Sequence, residues 1–168
     1  MCVVAQKVRE IADLSDVDLK ILALLQEDAS LTAAEIAEQV NLSVSPCWRR
    51  ITRLEKEGYI EKRAALLSAE RLGLGVVIFA SISLSANDEQ SLEQFEAQVQ
   101  KFPEVVECYT VTGTMDYFAK IVTRDIQGYE AFLRQQLLQV PLIRELHSNV
   151  AVTKIKFTTS LPLDTQVA

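Results

Sequence analysis

Arg49, Arg50, Arg53 and Lys56 crowd into eight residues of the chain, and their spacing suits one chemistry, the recognition of anions. A guanidinium group can take two acceptors at once from a guanine edge or a phosphate, and an ammonium meets phosphate as a point charge. At about 100° per residue, with Cys47 as zero, Ile51 and Leu54 fall within roughly 40° and define a buried stripe. Ser45, Arg49, Thr52, Arg53 and Lys56 fall roughly within 60° of the opposite direction, so the exposed side is polar and basic. Arg50 points sideways, toward either a nucleic-acid backbone or the protein itself. Ser43 and Ser45 precede this stretch, where free backbone N–H groups at a helix start can hold a phosphate. Ser45 is the expected N-cap, with Pro46 at the first helical position.

Charge sharpens this reading. Seventeen Lys and Arg stand against 23 Asp and Glu, a formal net charge of −6, so the chain as a whole repels polyanions. From Ser43 to Arg63, six basic residues (Arg49, Arg50, Arg53, Lys56, Lys62, Arg63) outnumber three acidic ones (Glu55, Glu57, Glu61). Nucleic acid must therefore be met by this local patch or not at all; a merely solvated helix face is the plain alternative.

A second constellation is Gly113-Thr114-Met115-Asp116-Tyr117. An Asp after a Gly turn is often only a turn former, but its carboxylate can also accept from the ammonium of an amino acid whose carboxylate is held by backbone N–H groups near Gly113. Catalysis has less to work with. The single histidine, His147, has no second His for a metal and no triad spacing around it. Cys2, Cys47 and Cys108 are odd in number and too scattered for a disulfide framework or a zinc site. Cys47 falls on the apolar stripe, as a buried inert thiol would, and Cys108 on a strand has the same reading. Trp48, at the border of that stripe, is expected to pack in part against the first helix. Gly73-x-Gly75 lacks the third glycine of a dinucleotide loop and reads as a hinge. No metal or cofactor is expected.

The elements that must position these groups fall into two halves. Ser15 caps a first helix, with Leu19, Leu22 and Ala23 on one face and Ile21 and Leu25 widening it. Thr32-Ala33-Ala34-Glu35 is a capping box for a second helix, which Asn41 can stop in a left-handed conformation. The basic helix follows and ends at Gly58. Tyr59–Arg63 with Ala64–Leu67 can form a short β-ribbon, the wing of a winged helix-turn-helix. Residues 68–75 read as a linker. From Val76 the period changes to strand 76–84, helix 88–102, strands 105–112 and 117–123, helix 126–139 and a final strand near 146–157. This is the β-α-β-β-α-β order of a ferredoxin-like domain. The fold expected is α+β: arm 1–13, winged helix-turn-helix 14–67, linker 68–75, ferredoxin-like domain 76–160 and tail 161–168. Val76, Ile78 and Ile82 leave few ways for both sheet faces to be wet, which predicts a sheet-mediated dimer. The start of the chain lacks a signal peptide's apolar core and no run of about 18 apolar residues follows, so a cytoplasmic protein with no membrane partner is expected.

Three stretches, LSDVDLKILALLQEDASLTAAEIAEQVNLSVSPCWRRITRLEKEGYI, VTGTMDYFAKI and KIKFTTSLPL, together resemble the Lrp/AsnC family of leucine-responsive or feast/famine regulators of bacteria and archaea. They span Leu14 to Leu163. The resemblance implies a DNA-binding N-terminal domain and a C-terminal domain that dimerises, assembles further into tetramers or octamers, and senses an amino acid or similar small molecule. It centres the effector site on Gly113, Thr114, Met115, Asp116 and Tyr117, and implies that the last strand lines it at His147, Ser148 and Asn149. Thr114 and Met115 depart from the acidic and aromatic residues usual at those positions, consistent with a roomier or sulfur-tolerant pocket. Pro46-Cys47-Trp48-Arg49-Arg50 is similar to a branch associated with cysteine metabolism. The rival readings are an architectural DNA-binding protein without an effector, and an enzyme on the ferredoxin-like half.

Overall fold

The computed structural model describes residues 14–86 and 88–163; the arm 1–13, with Cys2, and the chain end from 164 lie outside the described residues. Two compact units form. One comprises the described residues up to Leu66 together with those from Phe157, and the other runs from Leu67 to Lys156.

The first unit contains α1 (Asp16–Glu27), α2 (Ala33–Gln39) and α3 (Val44–Lys56). The expected Ser15 cap and the expected Thr32–Glu35 capping box are present, and Ser15 forms a capping box of its own with Asp18. Asn41 stops α2 at φ 55°, a conformation its short polar side chain tolerates. Ile21, Leu25, Ile36, Ala37, Cys47, Ile51 and Leu54 form the core, each large apolar side chain contributing about 1.5–3 kcal/mol by leaving water. The stripe of α1 is centred on Asp18, Ile21 and Leu25 rather than on Leu19, Leu22 and Ala23, which are only half-buried. Helix α3 begins earlier than expected. Ser43 is the N-cap, without a side-chain cap bond, and Pro46 sits at the third helical position, where its missing N–H is still among those no helix satisfies.

Gly58, at φ 80°, ends α3. The residues after it, 59–67, contain no strand, so the expected β-ribbon does not close on itself. A two-residue hairpin needs positive φ at its centre, and Glu61 to Leu67 offers no glycine or asparagine to supply it. The C-terminal segment lies in this unit instead, Leu161 and Leu163 lining a groove with Leu22, Leu25, Tyr59 and Ile60.

The second unit has the order β1 (Val76–Leu84), α4 (Glu89–Val99), β2 (Val105–Thr110), β3 (Tyr117–Thr123), α5 (Ile126–Gln135), a 3-10 turn at Leu137–Gln139 and β4 (Ile143–Val150). The sheet order is β2-β3-β1-β4, antiparallel throughout, as the split-βαβ plan requires. β4 starts before and stops short of its expected span. Ile78 pairs with Val150 and the Ala151 N–H closes on the Val77 carbonyl, so little of β1 remains to pair with anything beyond. Ile78, Ala80, Ile82, Phe95, Val99, Tyr117, Ile121 and Phe132 fill the core on one side of the sheet. Val76, Ile78 and Ile82 all belong to that side and say nothing about the other face. The face without helices carries Phe79 and Phe118, their rings stacked with centroids 5.7 Å apart. Among the described residues no helix is long and apolar enough to cross a membrane.

Candidate nucleic-acid and effector sites

On α3, the i, i+4, i+7 stripe of Cys47, Ile51 and Leu54 is buried and fixes the rotation of the helix. The opposite side therefore presents Ser45, Arg49, Thr52 and Lys56 to solvent, as the angular arithmetic requires. Ser43 is exposed at the helix start, and Arg49 and Lys56 carry no ion pair among the described residues. Pro46, Arg49, Arg50 and Arg53 line an open depression on this side.

Arg53 departs from the expectation that it stands free. Its Nη2 donates to Asp18 Oδ2 at 2.8 Å, while Arg50 Nη1 donates to Asp18 Oδ1 at 2.9 Å and to Ser15 Oγ at 3.2 Å. The Asp18 side chain is 1% exposed, against 38% for Arg50 and 39% for Arg53, so both guanidinium groups keep one edge on the acid and one in water. Burial pushes the Asp18 carboxyl up, but bonds from the Ser15 hydroxyl and N–H and from Arg50, with that residue's charge, outweigh it and hold the group below its ordinary value. Arg50's sideways direction thus resolves toward the protein. Asp18 is a residue of this site that the sequence reading missed. The available signal was its place on the i, i+3, i+7 stripe with Ile21 and Leu25, where a carboxylate needs a cation.

Trp48 is also a correction, for at 58% exposure it packs little and stands on the flank of the basic face beside Thr52. Of the other basic residues in this region, Arg63 is exposed but tied to its own unit, donating to the Ala29 carbonyl at 3.1 Å and to Glu55 at 3.0 Å. Cys47 is fully buried, and burial pushes its thiol up.

In the second unit the Gly113 turn is open and exposed, with Gly113 at φ 128°, a backbone that other residues rarely adopt. Asp116 Oδ2 accepts the Leu84 N–H at 2.8 Å, tying the turn to the end of β1, and Ser83 Oγ lies 3.5 Å from both the Thr114 carbonyl and Met115 Sδ. Tyr117 turns inward. Its ring packs on Phe95 at 4.5 Å, and its hydroxyl donates to Glu96 Oε1 at 3.0 Å. Burial first, and Glu96 second, push the phenol far above its ordinary range, so it stays a proton donor. A cavity of about 290 Å³ opens beside it, lined also by Gln100, Cys108 and Thr110.

Among the described residues no hydrogen bond joins His147 or Ser148 to this turn. His147 and Ser148 are neighbours on β4 and therefore point to opposite faces. His147 Nε2 lies 2.8 Å from Glu145 on the face without helices, and Ser148 hydrogen-bonds Tyr129 of α5 on the other.

Comparison with known proteins agrees with both units. Residues 77–161 match the Lrp/AsnC ligand binding domain, and residues 14–61 match a winged helix-turn-helix DNA-binding model. The chain is 36% identical over 151 residues to the DNA-binding transcriptional activator DecR of Escherichia coli, covering 90% of this chain and 99% of that protein. A transcriptional regulator of Neisseria meningitidis solved as an L-Met complex superposes with a TM-score of 0.86 at 39% identity, covering 90% of this chain and 97% of the other. An AsnC family transcriptional regulator from Agrobacterium tumefaciens gives 0.86 at 40% identity, over 92% and 100% of the two chains.

Proposed function

Because the chain belongs to the Lrp/AsnC family of DNA-binding transcriptional regulators with an amino-acid ligand-binding domain, we propose that it reads duplex DNA through α3 and answers to an effector at the Gly113–Tyr117 turn. The observation that carries the first half is the outward row of Ser45, Arg49, Thr52 and Lys56 opposite a buried stripe, with the uncapped Ser43 end beside it. A helix so arranged enters a major groove with its N-terminal residues nearest the bases. Arg49 reaches base edges, Thr52 and Trp48 offer apolar contact to thymine methyls, and Lys56 meets phosphate. Arg50 and Arg53 turn their open edges to the duplex and fix the register in which it is read.

A single such helix on a chain of net charge −6 binds weakly, so two copies must act together. The face bearing Phe79 and Phe118 supports a sheet-to-sheet dimer. Assembly also accounts for the scattered effector residues. A site at the exposed turn, with His147 and Ser148 on other surfaces, is completed by a second copy. The L-Met bound by the Neisseria protein, and the thioether of Met115 beside Ser83, make an amino acid with an apolar or sulfur-containing side chain the effector class.

The direct test pairs two measurements on the full chain. Arg49→Ala with Lys56→Ala should abolish retention of a duplex selected in vitro by the wild type while sedimentation is unchanged; retained binding would remove α3 as the reading helix. L-methionine should raise the thermal midpoint in a screen of the common amino acids, cysteine included, by binding the native state. A screen without any shift would remove the effector reading and leave an architectural DNA-binding protein.

A further inference from the structure

We propose that Asp18, too deeply buried to touch a duplex itself, is a positioning residue for sequence discrimination, acting through Arg50 and Arg53. This rests on α3 being the reading helix. One carboxylate takes one N–H from each guanidinium, at 2.9 and 2.8 Å on its two separate oxygens. Its own place is fixed from the other side, since Ser15 donates to Oδ2 through both its N–H (3.0 Å) and its hydroxyl (2.7 Å). The acid is thus anchored to the start of α1 and cannot follow the arginines if they move.

Two physical effects follow. Arginine side chains are among the most mobile, and a ligand that must immobilise them binds more weakly for it. Here each guanidinium is held by one edge before any duplex arrives, so its remaining donors have a set direction. The second effect is on charge. Asp18 offsets one of the two positive charges at this spot, and Glu57 Oε2, 3.9 Å from Arg53 Nε, offsets more, which lowers the attraction to arbitrary phosphates while leaving directional donors in place. Fixed geometry favours the correct sequence, and reduced charge disfavours every sequence equally. The first effect widens the gap between specific and non-specific binding, and the second lowers both without closing it. Lys56, without an ion pair among the described residues, has no such restraint and supplies unselective attraction to phosphate.

The test uses the full chain, a duplex enriched by the wild type from a random-sequence library, and a shuffled duplex of the same composition, each titrated at several salt concentrations. Asp18→Asn should weaken binding to the enriched duplex while binding to the shuffled one holds or strengthens. The ratio of the two should fall about tenfold, and the salt slope on the shuffled duplex should steepen by up to about one. An unchanged ratio overturns the proposal, and so does a parallel loss on both duplexes with a lower thermal midpoint, which marks a purely structural residue. Should Asp18→Asn not fold, Arg53→Lys carries the test, because it keeps the charge and loses the fork. A lower ratio at constant salt slope supports the proposal, and an unchanged ratio overturns it. Failure of the wild type to enrich any sequence overturns the reading of α3 and this inference with it.

Discussion

Gln26 meets Leu161 as one amide meets another: its Oε1 accepts the Leu161 N–H at 2.9 Å and its Nε2 donates to the Leu161 carbonyl at 3.1 Å. A residue in α1 thereby clamps the backbone of a segment 135 positions away. The segment has no strand of its own to pair with, so the clamp and the groove that takes Leu161 and Leu163 hold it. Gln26→Leu should lower the stability of the first unit by about 1 kcal/mol, the usual net worth of such bonds. Truncation before Phe157 should cost more, since apolar contacts go too. Urea unfolding followed by Trp48 fluorescence reads both, and an unaffected midpoint in the truncated chain would show the segment contributes nothing there.

Acid should loosen the first unit by a definable route. Asp18 titrates below its ordinary value in the folded chain, held there by Ser15 and Arg50 against the opposing effect of burial. As pH drops, the unfolded chain takes up the proton first, near about 3.9, and folding is progressively disfavoured until the folded carboxyl also protonates. The contribution is therefore complete above the unfolded value and gone below the folded one. Asp28, Glu35 and Asp88 are likewise depressed, by bonds from Ser30, Thr32 and Ser91 respectively. Asp18→Asn should flatten the fall in stability below about pH 4, as measured by denaturant midpoints across pH. An identical acid limb in the variant would assign the loss to the other carboxylates.

At the Gly113 turn, two substitutions of one residue separate structure from binding. Asp116 accepts the Leu84 N–H, a bond that Asn can also accept through its side-chain carbonyl. Asp116→Asn should leave the unliganded thermal midpoint within the equivalent of about 0.5 kcal/mol and abolish the shift produced by amino acid. Asp116→Ala should lower the midpoint as well, because a partly buried N–H loses its acceptor. A full ligand shift in the Asn variant would place the ammonium partner elsewhere.

The stacked pair on the helix-free face offers a test of assembly. Phe79→Asp or Phe118→Asp puts a charge where the proposed dimer has its apolar centre. The dissociation constant of the dimer in sedimentation should rise by at least about 100-fold, the cost of an unpaired charge in a dry interface. Folded monomer is the expected product, since Phe79 and Phe118 lie outside the core between sheet and helices. Unaltered sedimentation would move the interface to another surface.

Thiol chemistry should be quiet at neutral pH. Burial pushes the thiols of Cys47 and Cys108 up, with Glu96 adding to the effect at Cys108, so neither supplies much thiolate. Peptide mapping after native iodoacetamide treatment should find Cys47 unlabelled until denaturant is added and Cys108 labelled slowly. Rapid modification of Cys47 would contradict its full burial.

Local patterns explain which of these features could be foreseen. The Ser15 cap, the Thr32–Glu35 capping box, the left-handed Asn41, the buried face of α3 and the β-α-β-β-α-β order were legible because each is written within a few residues or one period. The missing ribbon after Gly58 and the early end of β4 were not, because pairing depends on how much neighbouring strand is available. The exposure of Trp48 and the inward turn of Tyr117 escaped as well, since a residue at the edge of a stripe goes whichever way its neighbours leave open.

Residue type and interval alone determined the two-part architecture, the cationic side of one helix and the glycine turn, because helix and strand periods translate directly into faces. Tertiary structure alone decided which cations are free. Arg49 and Arg53 stand one turn apart on the same basic side, yet Arg53, with Arg50, is bound to Asp18 and Arg49 is not, since a buried carboxylate 35 residues before Arg53 must find a cation within reach and packing of α1 on α3 chooses which.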